Sequence, residues 1–257
     1  MNVETYNIEV SVTLNGQKYT ADLHHPIDIS MILHSGYPQV NCFRAPYFYA
    51  SPHREGDLVK SIAQGGQANF YNVTIHPHGN GTHTQCVGHI VRDQYYINEY
   101  YKPDFHVAQL VSIFPQLSDN GDKVIHAEQL SQLWEAVGEE ALIIRTLPNG
   151  PEKRKTEYTD TNPPYFSRDA IDLIVSRGIK HLLTDLPSLD REENQGKLEA
   201  YRAFWNYPDI DLRAGATVTE LIFAENFVED GLYLLNLHLL NIQLDVSPSR
   251  PFLYRLR

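Results

Sequence analysis

The chain has 257 residues, of which 42% are hydrophobic and 21% are charged, and its formal net charge is −11. This composition is typical of a globular protein with a large core. The negative charge argues against a nucleic acid or an anionic membrane surface as the partner, because both require clustered lysines and arginines. No apolar run approaches the roughly 20 residues that a membrane-spanning helix needs.

Two further features bear on the location of the protein. Residues 1–6 contain neither the basic nor the apolar segment of a secretory signal, so the sequence predicts a cytoplasmic protein. The two cysteines, Cys42 and Cys86, are too few for a disulfide framework or for a cysteine-based structural zinc site. They fit a reducing compartment.

The beginning of the chain predicts a β-hairpin. Apolar and polar residues alternate over residues 6–14 and 18–23, and the turn pair Asn15-Gly16 lies between them. Residues 26–73 are rich in Pro, Gly, Tyr, Ser and Asn, so they predict irregular connections with short strands.

From about residue 107 the pattern predicts strands that alternate with helices. The predicted elements, in chain order, are a strand over 107–113, a helix over 127–137, a strand over 141–146, a helix from Ser167 to about Gly178, a strand over 181–185, a helix over 198–205 and strands over 217–224 and 232–244. This order predicts an α/β fold in which helices flank a mixed β-sheet and both ends of the chain are β-rich. Since no repeat or low-complexity linker divides the chain, we expect a single domain over residues 1–257.

Histidines are concentrated in one loop. His76, His78, His83 and His89 lie in a segment that also contains three glycines and a proline. Such a backbone can aim several side chains at one point. Because imidazole binds transition metals and titrates near neutral pH, the segment is a candidate reaction centre.

This segment resembles the signature of the cyclase family typified by bacterial kynurenine formamidase, His-x-Gly-Thr-His-x-Asp-x-Pro-x-His. The matching residues are Gly81-Thr82-His83, position 85 and His89. Later segments are similar to further family motifs in the same order: residues 185–190 to Asp-x-Pro-Ser-x-Asp, 217–220 to the strand with a later glutamate, and 247–250 to Ser-Pro-x-Arg. The resemblance implies the family's swivelling β/α/β fold.

The resemblance also implies a metal-dependent site. Carried over onto this sequence, His83 and Glu220 match two metal ligands of the family, and His78 is the natural first ligand, although it stands five positions before His83 where the signature has four. These three residues would hold a divalent metal, zinc or manganese, and His89 would transfer protons. Gln85 stands where the family has an acidic ligand, and it is the fourth candidate contact. A neutral amide oxygen is a poorer ligand for Zn²⁺ than a carboxylate.

A second position also departs from the family pattern. The family has a histidine ligand in the short helix after Asp190, but no histidine follows here, and residues 198–203, with Tyr201 and Arg202, occupy that place. With both departures, the metal would be weakly bound or absent. His76, Cys86, Asp185 and Tyr201 are candidates for supporting contacts or for contacts with the substrate.

Cys86 suggests an alternative chemistry, a thiol nucleophile with His83 or His89 as its base. A reactive thiolate needs a neighbouring cation or a helix N-terminus. The sequence shows neither, so a buried and inert Cys86 is the stronger interpretation.

These observations predict a hydrolase of the cyclase type that cleaves an amide or formamide C–N bond, or a small cyclic amide or ester, in a small molecule. A bound metal lowers the pKa of water from 15.7 to roughly 7 and so supplies the nucleophile. The alternative is a catalytically silent family member that binds a small molecule after losing its metal ligands. The resemblance also implies a homodimer or a higher homo-oligomer.

Overall fold

The structure is a computed structural model that describes residues 7–102 and 105–257. Residues 1–6, to which the prediction about a secretory signal refers and which include the predicted start of the hairpin, lie outside these ranges. The strands are β1 (Glu9–Leu14), β2 (Gln17–Asp22), β3 (Ile27–Asp28), β4 (Tyr49–Pro52), β5 (Arg54–Glu55), β6 (Leu58–Val59), β7 (Tyr71–Thr74), β8 (His83–Gln85), β9 (Phe105–Ile113), β10 (Gln116–Leu117), β11 (Lys123–Ile125), β12 (Ala141–Thr146), β13 (Tyr165–Phe166), β14 (His181–Thr184), β15 (Thr217–Glu220), β16 (Gly231–Leu239) and β17 (Val246–Arg255). The α-helices are α1 (Ile97–Tyr100), α2 (Ala127–Leu133), α3 (Arg168–Ser176) and α4 (Glu199–Trp205), and 3-10 turns cover Ile62–Gln64, Val87–His89 and Pro151–Lys155.

A mixed sheet that closes on itself organises the fold. Its strand order is β16-β9-β12-β14-β15-β8-β17-β3, and a further ladder between β16 and β17 closes the ring. In this sheet β9, β12, β14 and β15 run parallel to one another, whereas β8, β16 and β17 pair antiparallel with their neighbours. The prediction of a mixed sheet flanked by helices, with β-rich ends, is confirmed.

The central strand β12 is buried along its whole length, as is usual for a parallel strand that is covered on both faces. Leu142 and Ile144 pack in a core with residues of α2, α3 and α4. Ala141 and Ile143 point to the opposite face and pack in a second core with residues of the other strands of the ring. Alternation of side chains along one strand thus joins the two cores.

The N-terminal hairpin forms as predicted. β1 pairs antiparallel with β2, and Asn15 and Gly16 both have positive φ, 49° and 81°. Two positive φ values in a two-residue loop are the type I′ geometry that Asn-Gly favours. Residues 26–73 form short strands with irregular connections, which also agrees with the prediction.

Three predicted elements end earlier than the sequence pattern indicates. Helix α2 stops at Leu133 because the backbone of Trp134 is extended, so that its ring is buried and its Nε1 donates a hydrogen bond to Glu139. The predicted strand over 217–224 ends at Glu220 because Leu221 has a φ of 54°. The predicted strand over 232–244 ends at Leu239. Among the residues described, no helix is long and apolar enough to cross a membrane.

Buried His181 in β14 makes stability depend on pH. Its Nδ1 lies 2.9 Å from the Thr217 hydroxyl, and its ring lies 4.2 Å from that of His106. Burial, followed by the neighbouring His106, lowers the pKa of His181 to about 3. An unfolded chain binds this proton near pH 6.5. Between about pH 6.5 and about pH 3, the unfolded state therefore binds a proton that the native state lacks, and stability falls as pH falls.

We therefore expect His181→Asn to weaken the acid sensitivity of the protein. The slope of the unfolding free energy against pH should fall by about 1.4 kcal/mol per pH unit between pH 6 and pH 4. Urea denaturation at several pH values measures this slope, and His34→Asn, at an exposed histidine, is the control. An unchanged slope in His181→Asn would contradict the assignment.

Candidate functional site

Several of the residues singled out in the sequence line one cavity of about 300 Å³. Its wall includes Phe43, His78, Gln85, His89, Tyr201 and Glu220. A larger cavity, of about 610 Å³, lies beside Met31 and Arg250. The smaller cavity is the candidate site because it gathers the side chains that carry the predicted chemistry.

Strand β8 places the centre of the site. It lies between β15 and β17, with His83 opposite Glu220 and Gln85 opposite Val246. The loop before it needs Gly81, whose φ is +83°. The Thr82 hydroxyl donates a hydrogen bond to the Leu221 carbonyl and fixes this loop against the end of β15.

Glu220 is held in a buried network. The Tyr201 hydroxyl donates to its Oε1 at 2.6 Å, and the Gln85 side-chain nitrogen donates to its Oε2 at 2.8 Å. His83 Nε2 lies 3.2 Å from the same Oε2. Burial, followed by the charge of Glu220, raises the pKa of Tyr201 well above its usual value, so this phenol remains a donor.

Two polar atoms of this network stay without a hydrogen-bond partner. Within the described part of the chain, neither His83 Nε2 nor Gln85 Oε1 makes a hydrogen bond, although both are buried. The Glu220 carboxylate only accepts, so the Gln85 NH₂ group must face it and the Gln85 oxygen is the atom left over. A buried acceptor without a partner costs about 1–3 kcal/mol.

A second cluster joins His78 and His89 through Asp245. His78 Nε2 donates to Asp245 Oδ2 at 2.9 Å, and His89 Nδ1 lies 3.8 Å from the same oxygen. Burial opposes the ionisation of Asp245, but the hydrogen bonds and charges of the two histidines outweigh it and hold the pKa of this carboxyl well below its usual range. Asp245 is therefore an anion at neutral pH.

Gly88 allows the two segments of this cluster to approach each other. A Cβ at Gly88 would lie 2.3 Å from the Tyr95 carbonyl oxygen and 2.9 Å from Asp245 Cβ. The Cys86 backbone N–H also donates to the Asp245 carbonyl at 2.9 Å. The turn that carries His89 is thus fixed against the residue before β17.

The ligand set carried over from the resemblance does not converge. A metal site needs several His, Cys, Asp or Glu ligand atoms close together. In the ranges described, one group of three such side chains has its ligand atoms within 4.8 Å of one another, and it consists of His78, His89 and Asp245. His78, His83 and Glu220 are not such a group, because His78 faces Asp245. Both Glu220 oxygens already accept hydrogen bonds. In this structure the carboxylate is thus engaged by Tyr201 and Gln85.

The remaining candidates have local roles. The His76 backbone caps a turn with Gly79 and Asn80. The Asp185 carboxylate is buried, accepts from Thr146 and pairs with Lys153 at 2.7 Å, which ties a loop to the sheet.

The thiol of Cys86 is unsuited to act as a nucleophile. Burial raises the pKa of Cys86 to about 11, so the group is protonated at neutral pH. This agrees with the interpretation of an inert cysteine, because the thiolate is the reactive form.

Sequence reasoning missed Asp245. It lies two residues before the Ser-Pro-x-Arg segment at 247–250, and it is a lone acid between Leu244 and Val246. An acidic residue between apolar neighbours beside a family-like motif is the signal that could have identified it.

The Cyclase family model, described as "Putative cyclase", matches residues 21–191. The chain belongs to the cyclase family. The resemblance seen in the motifs is thereby confirmed. Among curated proteins the chain has no match.

Solved structures share the fold of this cyclase-family chain. A predicted metal-dependent hydrolase from Bacillus stearothermophilus is 13% identical, with a TM-score of 0.60 over 90% of this chain and 98% of the other. An isatin hydrolase bound to the product analogue thioisatinate is 16% identical, with a TM-score of 0.61 over 91% and 93%. Isatin hydrolase A from Labrenzia aggregata is 17% identical, with a TM-score of 0.60 over 90% and 93%. At these identities the likeness shows the fold.

Proposed function

We propose that the protein is a hydrolase that cleaves the C–N bond of a small amide, with cyclic amides as the leading substrate class. The observation that carries the proposal is one cavity that combines a carboxylate-backed pair of histidines with a buried acceptor that lacks a partner. Two of the similar structures are isatin hydrolases, and isatin is a cyclic amide.

Amide hydrolysis requires a base for water and an acid for the leaving nitrogen. His89 lines the cavity and lies 3.8 Å from the ionised Asp245. A carboxylate beside an imidazole orients the ring and stabilises its protonated form. His89 would accept a proton from the attacking water and return it to the leaving nitrogen, so that an acid and an amine result.

Gln85 provides the preference for an amide. Its Oε1 accepts no hydrogen bond from the residues described, and its NH₂ group is held by Glu220. A substrate N–H brought against this oxygen would satisfy it, whereas an ester oxygen or an N-methyl group would not. The free-energy cost of the unpaired acceptor is removed only when an N–H substrate binds, and this difference favours amides with an N–H over esters and N-methyl amides.

The apolar part of the wall suits a flat substrate. Phe43 and the ring of Tyr201 line the cavity, and Tyr201 itself is stacked on Trp205 with the two planes at 10°. Cavities of about 300 Å³ and more with a few polar groups are typical of small-molecule sites. The size and lining therefore favour a small aromatic or bicyclic compound.

Turnover of small amides is the direct test of this function. We expect the protein to hydrolyse at least one member of a panel of isatin, small lactams, matched lactones and aryl formamides, and we expect His89→Ala to lower kcat at least about 100-fold. Liquid chromatography of the products measures the rate, and His34→Ala is the control. No turnover across the panel, or an active His89→Ala, would refute the proposal.

The second prediction concerns the substrate N–H. Wild-type protein should prefer isatin over N-methylisatin at least about 10-fold in kcat/KM, and Gln85→Met should reduce this preference. Asn194→Ala is the matched control, because this amide lies in the same cavity wall but already bonds to Arg191 and Gly196. Equal rates for the two compounds in the wild type would overturn the role of Gln85, whether or not the variant folds.

A further inference from the structure

The cluster of His78, His89 and Asp245 has the composition of a metal site. Two imidazoles and one carboxylate form a known protein ligand set for catalytic zinc, in which the fourth position stays open. The three ligand atoms lie within 4.8 Å of one another. Both histidines line the cavity, so an open position would face the substrate.

The distances suit a tetrahedral ion. Ligand atoms at 2.0–2.2 Å from zinc lie about 3.3–3.6 Å apart in a tetrahedron. The contacts of Asp245 Oδ2 with His78 Nε2 and His89 Nδ1, at 2.9 and 3.8 Å, lie on either side of this separation. Adjustments of about half an ångström would bring both to it.

The exposure of the cluster also suits an exchangeable ion. The side chains of His78, His89 and Asp245 are 33%, 28% and 30% exposed, whereas those of His83 and Glu220 are 1% and 2% exposed. An ion can reach the first group through solvent. The second group is enclosed, and its carboxylate is occupied by Tyr201 and Gln85.

We propose that this protein binds one divalent transition-metal ion through His78, His89 and Asp245, in place of the His78, His83 and Glu220 set that the family signature suggests. This site lies in the cavity of the proposed hydrolase function. Binding of the ion does not depend on that function, whereas a part for the ion in hydrolysis rests on it. An ion held there would have His89 as a ligand and would take over the activation of water, and the proton that the water loses would go to the leaving nitrogen, so that the products are still an acid and an amine.

The experiment measures binding of Zn²⁺ and Mn²⁺ alone to the full chain, without substrate. Isothermal titration calorimetry gives the affinity, and inductively coupled plasma mass spectrometry gives the retained metal. We expect one equivalent in the wild type and at least about a 10-fold weaker affinity in Asp245→Asn and His78→Ala.

The matched control is Glu220→Gln, which should keep the wild-type affinity. If removing this buried carboxylate impairs folding, as thermal melting would reveal, Tyr201→Phe loosens the same network with its charge retained, and it should also keep the affinity. A wild type that binds no ion, or an affinity that depends on Glu220 and not on Asp245, would overturn the proposal.

This experiment separates the two proposals. If the protein binds the ion through Asp245 but hydrolyses no compound of the panel, the metal site stands and the proposed function fails. If the protein hydrolyses amides at an unchanged rate after complete metal removal, the proposed function stands and the ion is not used in it.

Discussion

Strand β8 lies between β15 and β17, and the site depends on this placement. Side chains two residues apart share one face of a strand, so His83 and Gln85 both meet Glu220 of the neighbouring strand. The pairing of β8 with β17 brings Asp245, at the entrance to β17, beside the turn that follows β8. Closure of the sheet thus gathers residues that are up to 167 positions apart in the chain.

The two clusters beside β8 differ in how the negative charge of their carboxylate is compensated. A buried carboxylate is costly unless it is paired and hydrogen-bonded, and Glu220 meets this requirement with Tyr201, Gln85 and His83. Asp245 is partly exposed and is balanced by two histidines. The first cluster is therefore enclosed, with His83 Nε2 and Gln85 Oε1 left without a hydrogen bond, while the second is partly open to the solvent.

The elements were predictable from the sequence because their signals are local. Alternation around Asn15-Gly16 predicted the hairpin, and the apolar run at 141–146 predicted β12 with its exact bounds. The meeting of His89 with Asp245 depends on sheet closure, and the backbone's bend at Leu221 depends on a single φ angle. The motif showed that Gln85 departs from the family, but only the packing shows which of its atoms is left without a partner.

Anomalous diffraction would show where a metal ion binds in this cavity. Crystals grown with Zn²⁺ would be measured on both sides of the zinc absorption edge, and the difference would locate the ion. The account predicts one peak between the side chains of His78, His89 and Asp245. A peak between His83 and Glu220, or no peak in the cavity, would contradict it.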